Sequence, residues 1–282
     1  MVSDANRWTL FDSWPRPVNR PTQATVSWAI FACLGAELNR SADQLEIELD
    51  KVRRPWDERL KRFGGDPSRS DWTKFRPLRL EREEDFSDWL AWLLEHSRSG
   101  LFAQYMFGDA VAIAPAEHEP PRVERELVVE EAGRRADILV DWRDGGWTHV
   151  EVKLGDRSFD KTFETALGLR QQRGNPECWT DFILTPEEAT ESWTACRKHH
   201  EGAREIKHIT WTSVAIALRR ALWHQMDSDS WLAWAYAFCG WIEQRLLDHP
   251  RQGEQGTKRR RSATRINRLL DQADFLRTGV PE

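Results

Sequence analysis

RADILVDWRDGGWTHVEVKL, residues Arg135 to Leu154, reads as two apolar runs joined by a turn. Asp144-Gly145-Gly146 between them is a hairpin signal. Side chains on a strand alternate between its faces. Asp137, Leu139 and Asp141 therefore share one face of the first run, with Ile138 and Val140 opposite. In the second run His149, Glu151 and Lys153 share a face, and Thr148, Val150, Val152 and Leu154 take the other. With three residues left in the turn, Arg143 pairs with Trp147. Asp137 then falls opposite Lys153 and diagonal to Glu151, an arrangement that a one-residue slip would break. Two carboxylates and an ammonium converge in that register.

Outward from the hairpin, a strand is expected over Val123 to Glu130 and a helix over Glu81 to Ser97. In that helix Phe86, Trp89, Leu90, Leu93 and Leu94 recur at helical period. A less regular segment spans Phe102 to Ala114 and leads into a loop with Pro115, Pro120 and Pro121. Downstream come a helix from Ser158 to Arg173 with Phe159, Phe163 and Leu167 on one stripe, and a short strand, Asp181 to Thr185, closed by Pro186. A strand from Ile206 to Thr210 and a helix from Ser213 to His224 follow. The C-terminal part predicts a helix from Trp231 to Asp248, the basic run Lys258 to Arg261, read as a solvated linker, and an amphipathic helix from Ile266 to Leu276. The N-terminal part opens with Pro15, Pro17 and Pro21 and an apolar stretch from Ala24 to Leu38. A charged helix from Ser41 to Phe63 follows, with Ser41 as N-cap, Gln44 three residues on, and Pro55 as a kink or break. Gly64-Gly65-Asp66-Pro67 ends it. The order helix, three strands, helix, strand, strand, helix predicts an α/β fold with a mixed central sheet flanked by helices. Residues 1–78 form an N-terminal helical extension to a core at 79–225, and residues 226–282 a C-terminal one, all in one compact unit.

The chain has 282 residues, 40% of them hydrophobic, enough for a substantial core. A formal charge of −5 excludes a protein that coats nucleic acid indiscriminately, so any grip on phosphates comes from local patches. No apolar run reaches membrane-spanning length and the N-terminus lacks a signal-peptide build, so a cytoplasmic protein with no membrane association is expected. Cys33, Cys178, Cys196 and Cys239 are scattered. Cys196 lies near His199 and His200, but no second ligand pair completes a zinc pattern, so reduced and mostly buried thiols are expected. Sixteen tryptophans against two tyrosines read as core packing rather than base stacking.

Two carboxylates suffice to hold a magnesium ion beside a substrate phosphate, since that ion takes oxygen ligands and keeps several waters. A bound metal makes water a better nucleophile and offsets charge on the phosphate. Lys153, two residues from Glu151 on the same face, is placed to orient or deprotonate that water. Glu83, on the face of Phe86, Ser87 and Leu90, is either an inward acid that needs a partner, a metal or Lys153, or a partly exposed helix-start acid favoured by the dipole. His149 is expected at the exposed edge of its strand.

Asp137, the Glu151-Val152-Lys153 triplet and the upstream Glu83 resemble the signature of the PD-(D/E)XK nuclease superfamily. The stretch EEDFSDWLAWLLEH, Glu83 to His96, is similar to the first core helix of its bacterial defence-type branch, and DFILTPE and ITWTSVAIALRRAL are similar to its later strand and helix. The resemblance covers about Leu80 to Leu222, with Ala136 standing where the signature has proline. It implies a restriction-endonuclease-like core and metal-dependent phosphodiester hydrolysis. Asp137, Glu151 and the Val152 carbonyl would be metal ligands, Lys153 the water-positioning residue, and Glu83 an accessory acid and ligand. The cofactor is expected to be Mg2+, with Mn2+ as a substitute. Gln171 is a candidate contact at the site edge. The expected activity is a DNA endonuclease, in defence against foreign DNA, working as a homodimer or with a partner ATPase. RNA cleavage and a non-catalytic nucleic-acid-binding or assembly subunit are the competing readings.

Overall fold

The computed structural model describes residues 28–74, 80–108, 121–130, 133–143, 146–155, 159–199, 205–251 and 262–280. The proline-rich start, Asp144-Gly145, Pro115, Pro120 and the Lys258 to Arg261 run lie outside them.

The chain is α/β, with a five-stranded mixed sheet flanked by helices. The strands are β1 (Arg122–Val129), β2 (Arg134–Asp141), β3 (Trp147–Val152), β4 (Trp179–Thr185) and β5 (Lys207–Thr210), in the spatial order β1-β2-β3-β4-β5. The first two pairings are antiparallel and the last two parallel. Eight α-helices are described: α1 (Trp28–Arg59), α2 (Glu83–His96), α3 (Leu101–Phe107), α4 (Asp160–Gln172), α5 (Thr190–His199), α6 (Trp211–His224), α7 (Asp229–Arg245) and α8 (Ser262–Gly279).

Several sequence expectations are corrected here. The charged N-terminal stretch and the described part of the apolar one, from Trp28, are parts of one helix, α1, so Ser41 is an interior residue and not a cap, and the helix continues through Pro55. Of the Phe102 to Ala114 segment, Phe102 to Phe107 lie in the helix α3, and residues 109–114 lie outside the described residues. Between β4 and β5 lies α5, which the sequence reading left out. Parallel neighbours require a crossover, and α5 supplies it. Its polar sequence buries only Trp193, which hides the helical stripe. One cysteine of the four, Cys239, is buried; Cys33 and Cys178 are exposed.

Both faces of the sheet are covered. Ile138, Val140, Val150, Val152, Phe182 and Leu184 belong to the main hydrophobic core, together with residues of α1, α2, α3, α6, α7 and α8. The N- and C-terminal helices thus share a core with the central segment, as Leu49, Trp56 and Leu276 show. Trp56, Trp211 and Trp231 are fully buried, in keeping with core packing, whereas Trp234 is 40% exposed. On the opposite face α4 and α5 pack Phe159, Ala166 and Trp193 against Ile183, and Leu169 against Leu139. Among the described residues no helix is long and apolar enough to cross a membrane.

A charged knot lies inside the helical layer. Arg219 on α6 donates to Glu243 on α7 at 2.7 Å and to Asp66 at 2.8 Å, with all three side chains buried. Its guanidinium lies 4.8 Å from the Trp56 ring centroid and 5.5 Å from that of Phe275. Nearby, burial pushes the His249 imidazole down to about 3, helped by the Arg219 and Arg268 cations. His249 is therefore neutral when folded, while the unfolded chain takes up a proton below about pH 6.5. Stability from this group is constant above pH 6.5 and falls as the pH drops from there toward 3. Urea unfolding of wild type at pH 5 should show up to about 2 kcal/mol more loss relative to pH 7 than His249→Phe shows. Equal losses in the two proteins would contradict this origin.

Candidate active site

The hairpin closes differently from the sequence register. Asp141 pairs with Trp147, and the Trp142 N–H donates to the Gly146 carbonyl at 2.9 Å. The Asp141 carboxylate accepts the Arg143 N–H at 2.8 Å, an Asx turn that ends the strand two residues early. Gly146 is required here. Its φ is +90°, and a Cβ would meet the Cys178 carbonyl oxygen at 2.5 Å. The resulting register is shifted by two residues. An even shift keeps every side chain on its face, so the Asp137 and Glu151 faces survive. The change is in the partner. Ile138 pairs with Val150, and one step further sets Asp137 opposite Glu151 rather than opposite Lys153.

β3 ends at Val152, so Lys153 and Leu154 lie just beyond the strand. Where the β2–β3 ladder stops, the Asp137 carboxylate accepts the Val152 N–H at 2.7 Å. On the other side of β2, Glu126 adopts φ +50° between the Arg125–Ile138 and Leu127–Ala136 pairs. A non-glycine residue in that region is strained, and such strain clusters at functional sites.

Glu151 is buried, and one oxygen accepts from Lys153 Nζ at 2.9 Å. Its other oxygen, Oε2, has no hydrogen-bond partner among the described residues and lies 3.7 Å from His149 Nε2. His149 is only 1% exposed, which corrects the expected exposed strand edge. β3 is the central strand, covered on both faces, so an inward histidine there is enclosed. Its Nδ1 donates to Asp181 on β4 at 2.9 Å, and Asp181 also accepts from Trp179 Nε1 at 2.9 Å. Sequence reasoning missed Asp181 as a site residue. Its signal was an acid near the start of the otherwise apolar DFILT run.

Burial and the Glu151 charge raise the Asp137 carboxyl to about 7, against the Val152 N–H and the Lys153 and His149 cations. Burial would also raise Glu151, but His149 and Lys153 outweigh it and hold that carboxyl low. For Lys153 burial works against the charge, and the Glu151, Asp137 and Glu83 carboxylates more than restore it, so its pKa is raised. Burial likewise opposes charge on His149, and its Asp181 and Glu151 partners overcome this, lifting it to about 9.

Glu83 opens α2 and is partly buried, and its charge is one of the three that hold Lys153 protonated. Its carboxylate accepts the Leu154 N–H at 2.7 Å, pinning the chain just after Lys153. Glu83, Glu84 and Asp85 fill the first turn of α2, where the helix dipole favours acids. Gln171 is not brought to the site. The buried face of α4 carries Thr162, Thr165, Ala166 and Leu169, with Phe159 buried just ahead of the helix, whereas Leu167 is 59% exposed and Gln171 is exposed.

Among the described residues no three His, Cys, Asp or Glu side chains are arranged to hold a metal by themselves. What the site offers is two carboxylates on adjacent strands, one with a buried oxygen that has no hydrogen bond among the described residues, and a strand-end carbonyl at Val152. That oxygen-only donor set fits a hard cation that keeps most of its waters and does not fit a closed zinc site. No family model, curated protein or solved structure matches the chain.

Proposed function

We propose that the protein is a metal-dependent nuclease with a restriction-endonuclease-like core that hydrolyses phosphodiester bonds in DNA. The observation that supports this most is the placement of Asp137 across from Glu151 at the end of their ladder, with Lys153 2.9 Å from Glu151. Asp137, Glu151 and the Val152 carbonyl would hold Mg2+, or Mn2+ in its place. The bound ion would supply an activated water and charge neutralisation at the phosphate. Lys153, kept protonated by three carboxylates, donates rather than accepts a proton, so its part is to orient water and offset phosphate charge. Glu83 acts one step removed, by fixing the Leu154 backbone next to Lys153. Defence against foreign DNA, and work as a homodimer or with a partner ATPase, belong to the same proposal.

A second reading, a non-catalytic nucleic-acid-binding or assembly subunit, draws on one fact. Glu151 already faces Lys153 and His149, so its charge is balanced without a metal. One experiment separates the two. Supercoiled plasmid and a length-matched RNA are incubated with wild type and Lys153→Ala, in Mg2+ and in Mg2+ plus chelator. The nuclease reading expects nicked or linear DNA from wild type in Mg2+ alone, with Lys153→Ala slower by at least about 100-fold. Equal behaviour of the two proteins sinks it, and cleavage by wild type sinks the second reading. Preferential loss of the RNA would move the substrate from DNA to RNA.

A further inference from the structure

We propose that His149 and Asp181 are a positioning pair that fixes the Glu151 carboxylate at the candidate cation site. The metal arm of its test rests on the nuclease reading; the structural arm does not.

The chain of contacts runs across two strands. Asp181 is the register partner of His149 on β4, and both its oxygens are engaged, Oδ1 by His149 Nδ1 and Oδ2 by Trp179 Nε1. With Nδ1 tied down, the imidazole ring has one orientation, and its Nε2 faces Glu151. The 3.7 Å separation there exceeds hydrogen-bond length. Glu151 is therefore held between the His149 ring on its Oε2 side and the Lys153 hydrogen bond on its other oxygen.

The cost of this arrangement is what marks it as functional. On the opposite face of the same strands the residues are Val150, Val152, Phe182 and Leu184, all buried and apolar. Well-packed apolar residues in place of a buried ionic set are commonly neutral or stabilising. Here a histidine and two acids occupy the central strands, and two of their buried polar atoms, His149 Nε2 and Glu151 Oε2, face each other at 3.7 Å without a hydrogen bond among the described residues. Buried orphan atoms in a native fold call for an explanation. A carboxylate held for a ligand supplies one, as second-layer partners commonly orient metal-binding groups.

The test compares wild type, Asp181→Asn and His149→Gln, each with its melting temperature recorded. Crystal structures of the variants report Glu151 directly. The expected result is a Glu151 side chain moved off its present rotamer or spread over several in both variants. A carboxylate that keeps its rotamer and its Lys153 contact in both overturns the proposal, even if the wild type cleaves DNA. Calorimetric titration with Mg2+ alone should show affinity weakened by about 10- to 100-fold in each variant. Wild-type affinity in both variants also overturns the proposal. A wild type that binds no Mg2+, together with a displaced Glu151 in the variants, supports the positioning role and sinks the nuclease reading. If Asp181→Asn fails to fold, His149→Gln decides, because it keeps a polar side chain of similar reach.

Discussion

Asp137→Asn should abolish cleavage and, at pH 7 and above, raise the melting temperature. Both effects come from one cause. Burial and the Glu151 charge lift the Asp137 carboxyl to about 7, from 3.8 in an unperturbed chain. Between those values the folded protein holds a proton that the unfolded chain has released. Stability from this group is present below about pH 4 and lost as the pH rises through 7, so an ionised Asp137 strains the fold at working pH. Asparagine removes the charge while its carbonyl can still accept the Val152 N–H. A gain on the order of 2 kcal/mol is expected at pH 8, shrinking toward pH 4. Cleavage should fall by about 10³-fold, the scale at which loss of one charge-stabilising group is felt. Such opposition between activity and stability is common where a site is built from like charges. Thermal melts of both proteins at pH 4.5 and pH 8, beside plasmid cleavage, check it. A variant that melts below wild type at pH 8 contradicts the argument.

Arg219→Ala should cost about 3–5 kcal/mol in urea unfolding. The guanidinium serves two buried carboxylates at once, Asp66 and Glu243, and removing it strands both. Burial pushes Asp66 toward its neutral form, and Arg219 more than reverses this to hold its pKa below the usual range. Without the arginine, both acids must either stay charged in an apolar interior or take up protons. The loss should therefore be greatest near pH 7 and shrink toward pH 4, where protonation is easy. Stacking on Trp56 disappears as well. The effect reaches beyond α6, because Asp66 precedes α2, Glu243 lies on α7 and Phe275 lies on α8. A loss below about 1 kcal/mol at pH 7 would show that the knot contributes little.

Much of the sheet was legible in the sequence, because strand alternation is local. The faces of Asp137, Glu151 and Lys153 follow from period two alone, and an even register shift left them intact. The register itself was not legible. It depends on an Asx turn at Asp141 and on the left-handed backbone of Arg143 and Gly146, which no hydrophobic pattern reports. The helix α5 was missed because it shows a single buried residue. The stripe of α4 was misread because its inward face carries Thr162 and Thr165, which look like surface residues in a sequence.

The sequence by itself determined the strands and most helices, the α/β class, and the three side chains Asp137, Glu151 and Lys153 as candidates. All of these are set by periodicity and residue chemistry within a few positions of the chain. Only the tertiary structure decided that Asp137 faces Glu151, that Glu83 binds the Leu154 backbone, and that Gln171 stays in solvent. It also decided that His149 is enclosed and joined to Asp181, 32 residues away. The physical reason is that burial belongs to the assembly of elements and not to any one of them. A histidine on a strand is exposed or enclosed according to what covers that face, and the cover here, α4 and α5, comes from later in the chain.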